Sequence, residues 1–124
     1  LPQGKSHLKG SLIENALKQM ARTELEQTVA AQARIMNVSP RKVTIRDQRT
    51  RWGSCSSKGT LSFNWRLVMA PPEIMRYVVV HELAHLKVPN HSAAFWKIVS
   101  QYYPGYVQAR QWLKQNSAQL HPSW

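Results

Sequence analysis

The chain has 124 residues and carries 17 basic against 6 acidic side chains, a formal net charge of +11. This length fits one domain with its own hydrophobic core, and the single cysteine, Cys55, excludes an internal disulfide, which fits a reducing, cytoplasmic compartment. No stretch approaches the roughly 20 consecutive apolar residues that cross a bilayer, so we expect no membrane partner.

The first predicted helix follows a short leader. Residues 1–10 lack the apolar segment of a signal peptide, and we expect them to be a poorly ordered leader or remnant of a longer chain, ahead of a single domain at residues 11–124. Ser11 and Glu14 have the spacing of a capping box, and no Gly or Pro interrupts the chain from there to residue 38. A long helix, or two abutting ones, is therefore predicted, ended by Ser39-Pro40. Its apolar stripe is expected to face the core: Leu12, Ala16, Leu17, Met20, Leu25 and Val29.

Two strands are predicted next, on either side of a turn-rich loop. The stretches at residues 42–46 and 60–66 alternate apolar and polar side chains, which is the period of a half-buried strand. We expect these strands to pair antiparallel, and the second to form a cleft rim whose exposed edge would bind an extended substrate. Asn64 is a candidate substrate-binding residue on that rim; the alternative is ordinary strand surface.

Positive charge is concentrated in the middle of the chain. Residues 38–80 carry 8 basic and 2 acidic side chains, and the basic ones cluster at residues 41–51. Such a stretch attracts acidic partners, nucleic acid among them, so Arg46, Arg49 and Arg51 are candidate DNA contacts. The alternative is a solvated surface that keeps the protein soluble.

Three further helices are predicted in the second half of the chain. Pro71-Pro72 opens the first of them, and Pro89 ends it near Lys87. Ser92 can cap the next, and Pro104-Gly105 separates it from a last helix at about residues 106–115. The predicted fold is therefore α+β, with an N-terminal helix, a small antiparallel-containing sheet and C-terminal helices.

The stretch HELAHLKVPNH, residues 81–91, has the pattern of a metal site. On a helix, His81 and His85 lie one turn apart on the same face, so both imidazoles can bind one ion. Glu82 then lies beside the ion without binding it, where it can take a proton from water. The alternative is that both histidines are ordinary core residues. Burying His81, His85 and Glu82 with no shared partner would then cost several kcal/mol.

A catalytic zinc site needs a third protein ligand. No Asp, Glu or Cys follows Glu82, so a downstream carboxylate is excluded and the candidates are His91 and His121. We choose His91, because Pro89-Asn90 can reverse the chain and return it to the metal. The spacing matches that of metzincins, but Val88 replaces their Gly and no methionine follows the motif, so the chain is not a metzincin.

Two longer stretches carry a resemblance. RWGSCSSKGTLSFNWRL, followed by PPEIMRYVVVHELAHLKVPNHSAAFW, resembles the YgjP-like family of zinc metallopeptidases, which is related to the SprT and WLM groups. The resemblance extends from about residue 21 to residue 113. It implies zinc ligands at His81, His85 and His91, a catalytic Glu82 and a compact zincin-like fold. The SprT and WLM relatives include proteases that act on DNA-bound proteins, which is an analogy only.

The expected reaction is peptide hydrolysis of a protein or peptide substrate, with Zn²⁺ as cofactor, water as nucleophile and Glu82 as general base. Tyr102, Tyr103 and Tyr106 are candidate substrate-binding residues that would donate to the oxyanion, although packing explains each of them more simply. Two alternatives remain open. One is a DNA-associated protease that acts on DNA-bound proteins, and the other is a basic nucleic-acid-binding domain with a structural zinc, although such sites are usually rich in cysteine.

Overall fold

The computed structural model describes residues 2–48 and 51–116, with side chains from residue 12 onward. In these ranges the fold is α+β, as predicted, with four α-helices, three strands and one short 3₁₀-helix. The elements run in the order α1 (Pro2–Met36), β1 (Lys42–Arg46), β2 (Gly53–Cys55), β3 (Thr60–Asn64), the 3₁₀-helix (Trp65–Met69), α2 (Pro72–Ala84), α3 (Ala93–Tyr102) and α4 (Tyr106–Gln115).

Helix α1 is longer than predicted and packs over only part of its length. It begins at Pro2, so the predicted start at the Ser11 capping box is wrong, and it ends at Met36, where Asn37 adopts a left-handed backbone with φ of 55°. Leu12 and Met20 are exposed, contrary to the predicted stripe, whereas Leu17 is partly buried against the core and the fully buried face begins only at Ala21. Its buried side chains follow one face: Ala21, Leu25, Val29, Gln32, Ala33 and Met36.

The sheet is mixed, with strand order β1-β3-β2. β1 pairs with β3 in parallel, so the predicted antiparallel pairing is wrong, and β2 pairs with β3 antiparallel. The reason is β2 itself: this strand lies inside the stretch interpreted as a loop and takes the antiparallel place beside β3. β3 is therefore central and buried on both faces, whereas β2 is an edge. The predicted exposed edge at residues 60–66 is wrong.

Helix α2 is the centre of the core. Pro72 stands at its first turn, where a missing N–H costs nothing, and Glu73 complements the helix dipole there. Ten of its 13 residues are buried. The α-helix ends at Ala84, and the chain continues to Lys87 with the tighter i to i+3 hydrogen bonds of a 3₁₀ turn. α1, β2, α3 and α4 all pack against it.

Helices α3 and α4 close the fold on the C-terminal side. α4 has the predicted bounds. Ser92 is the N-cap residue of α3, as predicted, although its side chain makes no capping hydrogen bond. Within the described part of the chain, no helix combines the length and the apolar character that crossing a bilayer requires.

Candidate metal centre

The three predicted histidine ligands converge. The Nε2 atoms of His85 and His91 are 3.1 Å apart, and those of His91 and His81 are 3.3 Å apart. In the described part of the chain, these three residues form a group whose possible ligand atoms all lie within 4.8 Å of one another. A single ion bonded to the three Nε2 atoms would satisfy all three lone pairs at once.

The other ring nitrogens of the two helix-borne histidines have partners in the protein. Nδ1 of His81 lies 3.2 Å from the Tyr77 hydroxyl, and Nδ1 of His85 lies 3.1 Å from the Val88 carbonyl oxygen. A carbonyl can only accept, so Nδ1 of His85 carries the proton and donates it. These contacts leave both Nε2 atoms directed at the centre and hold the rings in place, as residues behind metal ligands usually do.

An aromatic wall supports the centre from α3. The Phe95 ring stacks on His85 at 4.3 Å between centroids and lies 5.0 Å from both His81 and His91. The Trp96 ring stacks on His91 at 5.9 Å with an interplanar angle of 25°. Both residues follow the turn that carries His91, so α3 fixes the third histidine through ring packing.

Glu82 lies between α2 and the edge strand β2. It is 2 % exposed, and a Cβ on Gly53 would stand only 3.3 Å from its Cγ. Burial, with a further contribution from the Glu82 charge, raises the pKa of the Cys55 thiol on the same strand to about 11. Strand β2 therefore forms the wall against which Glu82 packs.

Burial shifts the titration of the centre in two directions. It raises the pKa of Glu82 well above its usual value, and the Arg51 charge offsets this only in part. It lowers the pKa of His81 well below the usual value, and the neighbouring His85 and His91 add to the effect. The pKa of His85 is also lowered, again mainly by burial. Neutral imidazoles are the form that binds metal.

Asn64, the predicted rim residue, does not line the centre. Its Nδ2 donates to the carbonyl oxygens of Gln48 at 2.6 Å and Arg51 at 3.1 Å, and its Oδ1 accepts from the backbone N–H of Arg66 at 3.1 Å. It is 1 % exposed. The Asn64 side chain thus fixes the loop before β2 and the start of the 3₁₀-helix. It is therefore not at the surface, where a substrate could contact it.

The three tyrosines differ in position. The Tyr103 hydroxyl donates to the Glu73 carbonyl oxygen at 2.8 Å and joins α3 to α2. Tyr102 lies beneath the Lys87 ammonium group at 6.0 Å. Tyr106 stacks on Trp96 at 5.6 Å, one ring removed from His91, and is the tyrosine of the three with a ring contact to the wall of the centre.

The candidate DNA contacts are distributed over two places. Arg46 lines a cavity of about 330 Å³ between α1 and the sheet, together with Lys18, Arg22 and Trp65. Arg51 is exposed before β2, and its charge lowers the pKa of Glu82, although burial outweighs this effect. Arg49 lies outside the described residues, as does His121, the second candidate for the third ligand.

Three residues around the centre were not singled out from the sequence: Tyr77, Gly53 and Arg110, whose guanidinium group lies 4.3 Å from the centroid of the Trp96 ring. Tyr77 had a detectable signal, since it precedes His81 by one helical turn on the buried face. Gly53 and Arg110 had none, because their positions depend on the pairing of β2 and the packing of α4.

Comparison with known proteins identifies the family. The family model described as YgjP-like, metallopeptidase domain, matches residues 1–116. Among curated proteins, the chain is similar to the UTP pyrophosphatase of Escherichia coli (strain K12), with 44 % identity over 52 residues, 39 % of this chain and 31 % of that protein. The chain thus matches about a third of the length of this curated relative.

Two solved structures have a similar fold. The metallopeptidase zymogen of Pyrococcus abyssi abylysin superposes with a TM-score of 0.69 at 24 % identity, covering 77 % of this chain and 97 % of that chain. The zymogen of Methanocaldococcus jannaschii jannalysin gives 0.66 at 22 % identity, with 74 % and 95 % covered. At these identities the likeness concerns the fold. Since the family model spans nearly the whole chain, the protein belongs to the YgjP-like metallopeptidase family.

Proposed function

We propose that this domain is a zinc-dependent peptidase in which Glu82 is the general base. The observation that carries the proposal is the convergence of three imidazole Nε2 atoms, with the buried Glu82 following His81 directly in α2. Family membership and the zincin-like fold support it independently.

The histidine cluster fits zinc by distance and by ligand type. Zinc bonds imidazole nitrogen at about 2.0–2.1 Å in tetrahedral geometry, which separates two such nitrogens by about 3.3 Å. The two Nε2 pairs, at 3.1 and 3.3 Å, agree with that separation. Imidazole suits zinc, whereas magnesium and calcium prefer carboxylate oxygens, and among the residues that the structure describes no carboxylate belongs to this cluster.

The proposed mechanism assigns a role to each side chain. His81, His85 and His91 would hold the ion through Nε2 and leave one position open. When bound by these histidines, zinc supplies Lewis acidity that lowers the pKa of a coordinated water toward neutrality and polarises a carbonyl oxygen. Glu82 would take the proton from the attacking water and pass it to the leaving amine, and burial favours uptake of that proton because it raises the pKa of the carboxyl group above its usual value.

A substitution at Glu82 tests this proposal. Glu82→Gln keeps the shape of the side chain and removes the base, so hydrolysis of an unfolded protein substrate should fall by about 10²–10⁴-fold while the zinc content stays at one ion per chain. Glu73→Gln, at the exposed first turn of the same helix, is the matched control and should retain activity. A Glu82→Gln protein that cleaves as fast as the parent would refute the base assignment.

The curated relative favours a second candidate, hydrolysis of a nucleoside triphosphate. The E. coli protein is named a UTP pyrophosphatase. In the corresponding reaction, water would add to the α-phosphorus, the bond from that phosphorus to the bridging oxygen would break, and a nucleoside monophosphate and pyrophosphate would leave. Glu82 would again take the proton of the water.

Parallel assays separate the two candidates. Zinc-loaded protein is incubated with an unfolded protein and, separately, with UTP, and the products are resolved by chromatography. Hydrolysis of the protein alone supports the peptidase, and release of UMP and pyrophosphate alone supports the second candidate. Glu82→Gln should abolish whichever reaction occurs. Contact with DNA stays a separate prediction from charge, and it would be tested by the salt dependence of binding.

A further inference from the structure

Among the described residues, the cavity between α1 and the sheet shares no lining residue with the histidine centre. Its volume of about 330 Å³ falls within the range of small-molecule sites, roughly 300–1,000 Å³. Three elements line it: α1 contributes Lys18 and Arg22, the end of β1 contributes Arg46 with Asp47 directly after it, and the 3₁₀-helix contributes Trp65. The cavity is therefore large enough for a ligand, and its lining is mainly charged.

The carboxylate of this cavity, Asp47, is already paired. Nη1 of Arg66 donates to its Oδ1 at 2.7 Å, and Nζ of Lys18 lies 4.0 Å from its Oδ2. The hydrogen bond from Arg66 is the main cause of the lowered pKa of Asp47, so the carboxyl group is ionised at neutral pH. Asp47 is thus engaged by Arg66, which does not belong to the lining.

The three cations of the lining have weaker partners or none. Lys18 and Arg22 pair with carboxylates along α1, Glu14 at 3.5 Å and Glu26 at 4.0 Å, and such exposed pairs contribute little. Within the part of the chain that the structure describes, Arg46 makes no ion pair. Together with the pair at Asp47, four cations meet three carboxylates, so the positive charge of Arg46 is the one left without a counter-charge.

Trp65 contributes a buried hydrogen-bond donor to the wall of the cavity. The residue is 5 % exposed, and its Nε1 makes no hydrogen bond with a described residue, although it contributes to the lowered pKa of Asp47. A buried indole N–H usually has an acceptor, and one that lacks an acceptor indicates a place for a water, an ion or a ligand. The ammonium group of Lys18 lies 5.9 Å from the centroid of this ring, and movement of that long side chain toward an anion would admit an acceptor to the N–H.

We propose that this cavity binds a phosphate group, carried by a small molecule or present as the free ion. Arg46 would bind two of its oxygens through the planar guanidinium fork, and Arg22 and Lys18 would add charge. A phosphate group has enough oxygens to accept from all three cations and from the Trp65 N–H, whereas a carboxylate has two. The ring of Trp65 is too buried to stack on a base, and a cavity of this volume does not hold a nucleic-acid helix, which distinguishes this site from the predicted DNA contact of Arg46.

The test follows the indole N–H of Trp65 by nuclear magnetic resonance. Inorganic phosphate and, separately, ribose 5-phosphate are titrated into ¹⁵N-labelled protein, in which Trp65→Phe identifies the resonance. Both titrations should shift that resonance to saturation. Tighter binding of ribose 5-phosphate would identify an organic phosphate as the ligand, and equal binding would identify the free ion. Potassium chloride at the same ionic strength controls for screening and should leave the resonance in place.

Substitutions in the lining complete the test. Arg46→Met should weaken the binding of ribose 5-phosphate at least about tenfold, because a charge-assisted hydrogen-bonded pair is lost. Arg41→Met is the matched control: Arg41 is exposed in the same basic stretch but does not line the cavity, so this variant should bind like the parent. Asp47→Asn removes the negative charge of the lining and should tighten binding.

Three results would overturn the proposal. The first is parent-like binding of ribose 5-phosphate by folded Arg46→Met. The second is a shift of the Trp65 resonance by chloride as large as that by phosphate. The third is tighter binding of a single-stranded oligonucleotide without a terminal phosphate, which would identify a nucleic-acid backbone as the ligand. His91→Ala should bind ribose 5-phosphate like the parent, so that phosphate bound to zinc at the histidine centre is not mistaken for this site.

Discussion

Two sides of Glu82 are built in different ways. On the helical side, α2 and α3 hold three histidines by local geometry: one helical turn, one Pro-Asn reversal and a stack of rings. On the strand side, the wall is the three-residue strand β2, which exists because residues 53–55 pair with residues 61–63. Packed side chains form the helical side. The strand side depends instead on the lack of a side chain at Gly53, which allows β2 to approach Glu82 closely. We therefore expect substitutions on the helical side to change metal binding and substitutions on the strand side to change stability and the position of Glu82.

The largest effect is expected from His91→Ala on the helical side. Removing one of three protein ligands should lower zinc affinity by at least about 1000-fold, because the remaining two nitrogens cannot enclose the ion. Competition with a chromophoric chelator measures the affinity, and His7→Ala serves as the control in α1. Loss of zinc from His121→Ala with retention in His91→Ala would instead identify His121 as the third ligand.

Tyr77→Phe should have the next largest effect on metal binding. The Tyr77 hydroxyl lies 3.2 Å from His81 Nδ1. Loss of a hydrogen-bond partner behind a metal ligand typically lowers metal affinity by about 10–100-fold, and we expect a loss of that size here. Tyr103→Phe is the control, since its hydroxyl bonds to the Glu73 carbonyl oxygen away from the histidines. That variant should lose about 1 kcal/mol of stability and no zinc affinity. Equal zinc affinities for Tyr77→Phe and the parent would contradict a role for this hydroxyl.

Gly53→Ala tests the strand side. A Cβ there would meet the Ser62 carbonyl oxygen at 3.1 Å and Phe63 Cδ1 at 3.2 Å, as well as Glu82, so unfolding should become easier by about 1–3 kcal/mol. Gly105→Ala is the matched control, because its nearest atoms lie at 3.6 and 3.7 Å and it should unfold like the parent. Urea denaturation measures both. If Gly53→Ala proves as stable as Gly105→Ala, the close packing of β2 on α2 is wrong.

The smallest effect concerns the pH dependence of Glu82. Its pKa is raised in the folded protein above the ordinary value of 4.5, so the contribution of Glu82 to stability is fully present below pH 4.5 and is lost as the pH rises toward the folded-state pKa. Metal-free Glu82→Gln avoids this loss. Its melting temperature should gain on that of the parent between pH 5 and pH 8, by on the order of 5 °C. The histidines are common to both proteins, so a difference that stays constant with pH would contradict the burial of Glu82.

The same contrast explains which features could be predicted from the sequence. The convergence of the three histidines could be predicted because helical spacing, a proline and the lack of any later carboxylate are features that can be read locally or counted. The bounds of α4 followed from Pro104-Gly105 for the same reason. The start of α1 failed because a capping box at Ser11 also fits the interior of a longer helix.

The pairing of strands that are distant in the sequence could not be predicted in this way. The residues of β2 are Gly, Ser and Cys, which alone indicate a turn, and only their partners in β3 make them a strand. Because β2 was not recognised, β3 was interpreted as an edge strand. For the same reason Asn64 was interpreted as a substrate-binding residue, whereas its side chain donates hydrogen bonds to the carbonyl oxygens of Gln48 and Arg51. Arg110 was missed because it lies 25 residues after His85, and its place beside Trp96 depends on how α4 packs.

The stacking of Trp96 on His91 makes the centre observable by light. The indole ring lies within 6 Å of two of the histidines, so its fluorescence should change when an ion binds, and a paramagnetic ion such as Co²⁺ should quench it strongly. Trp112→Phe and Trp65→Phe would reduce the background from other indoles. The protein should therefore report its own metal occupancy during a titration, without a dye or an attached label.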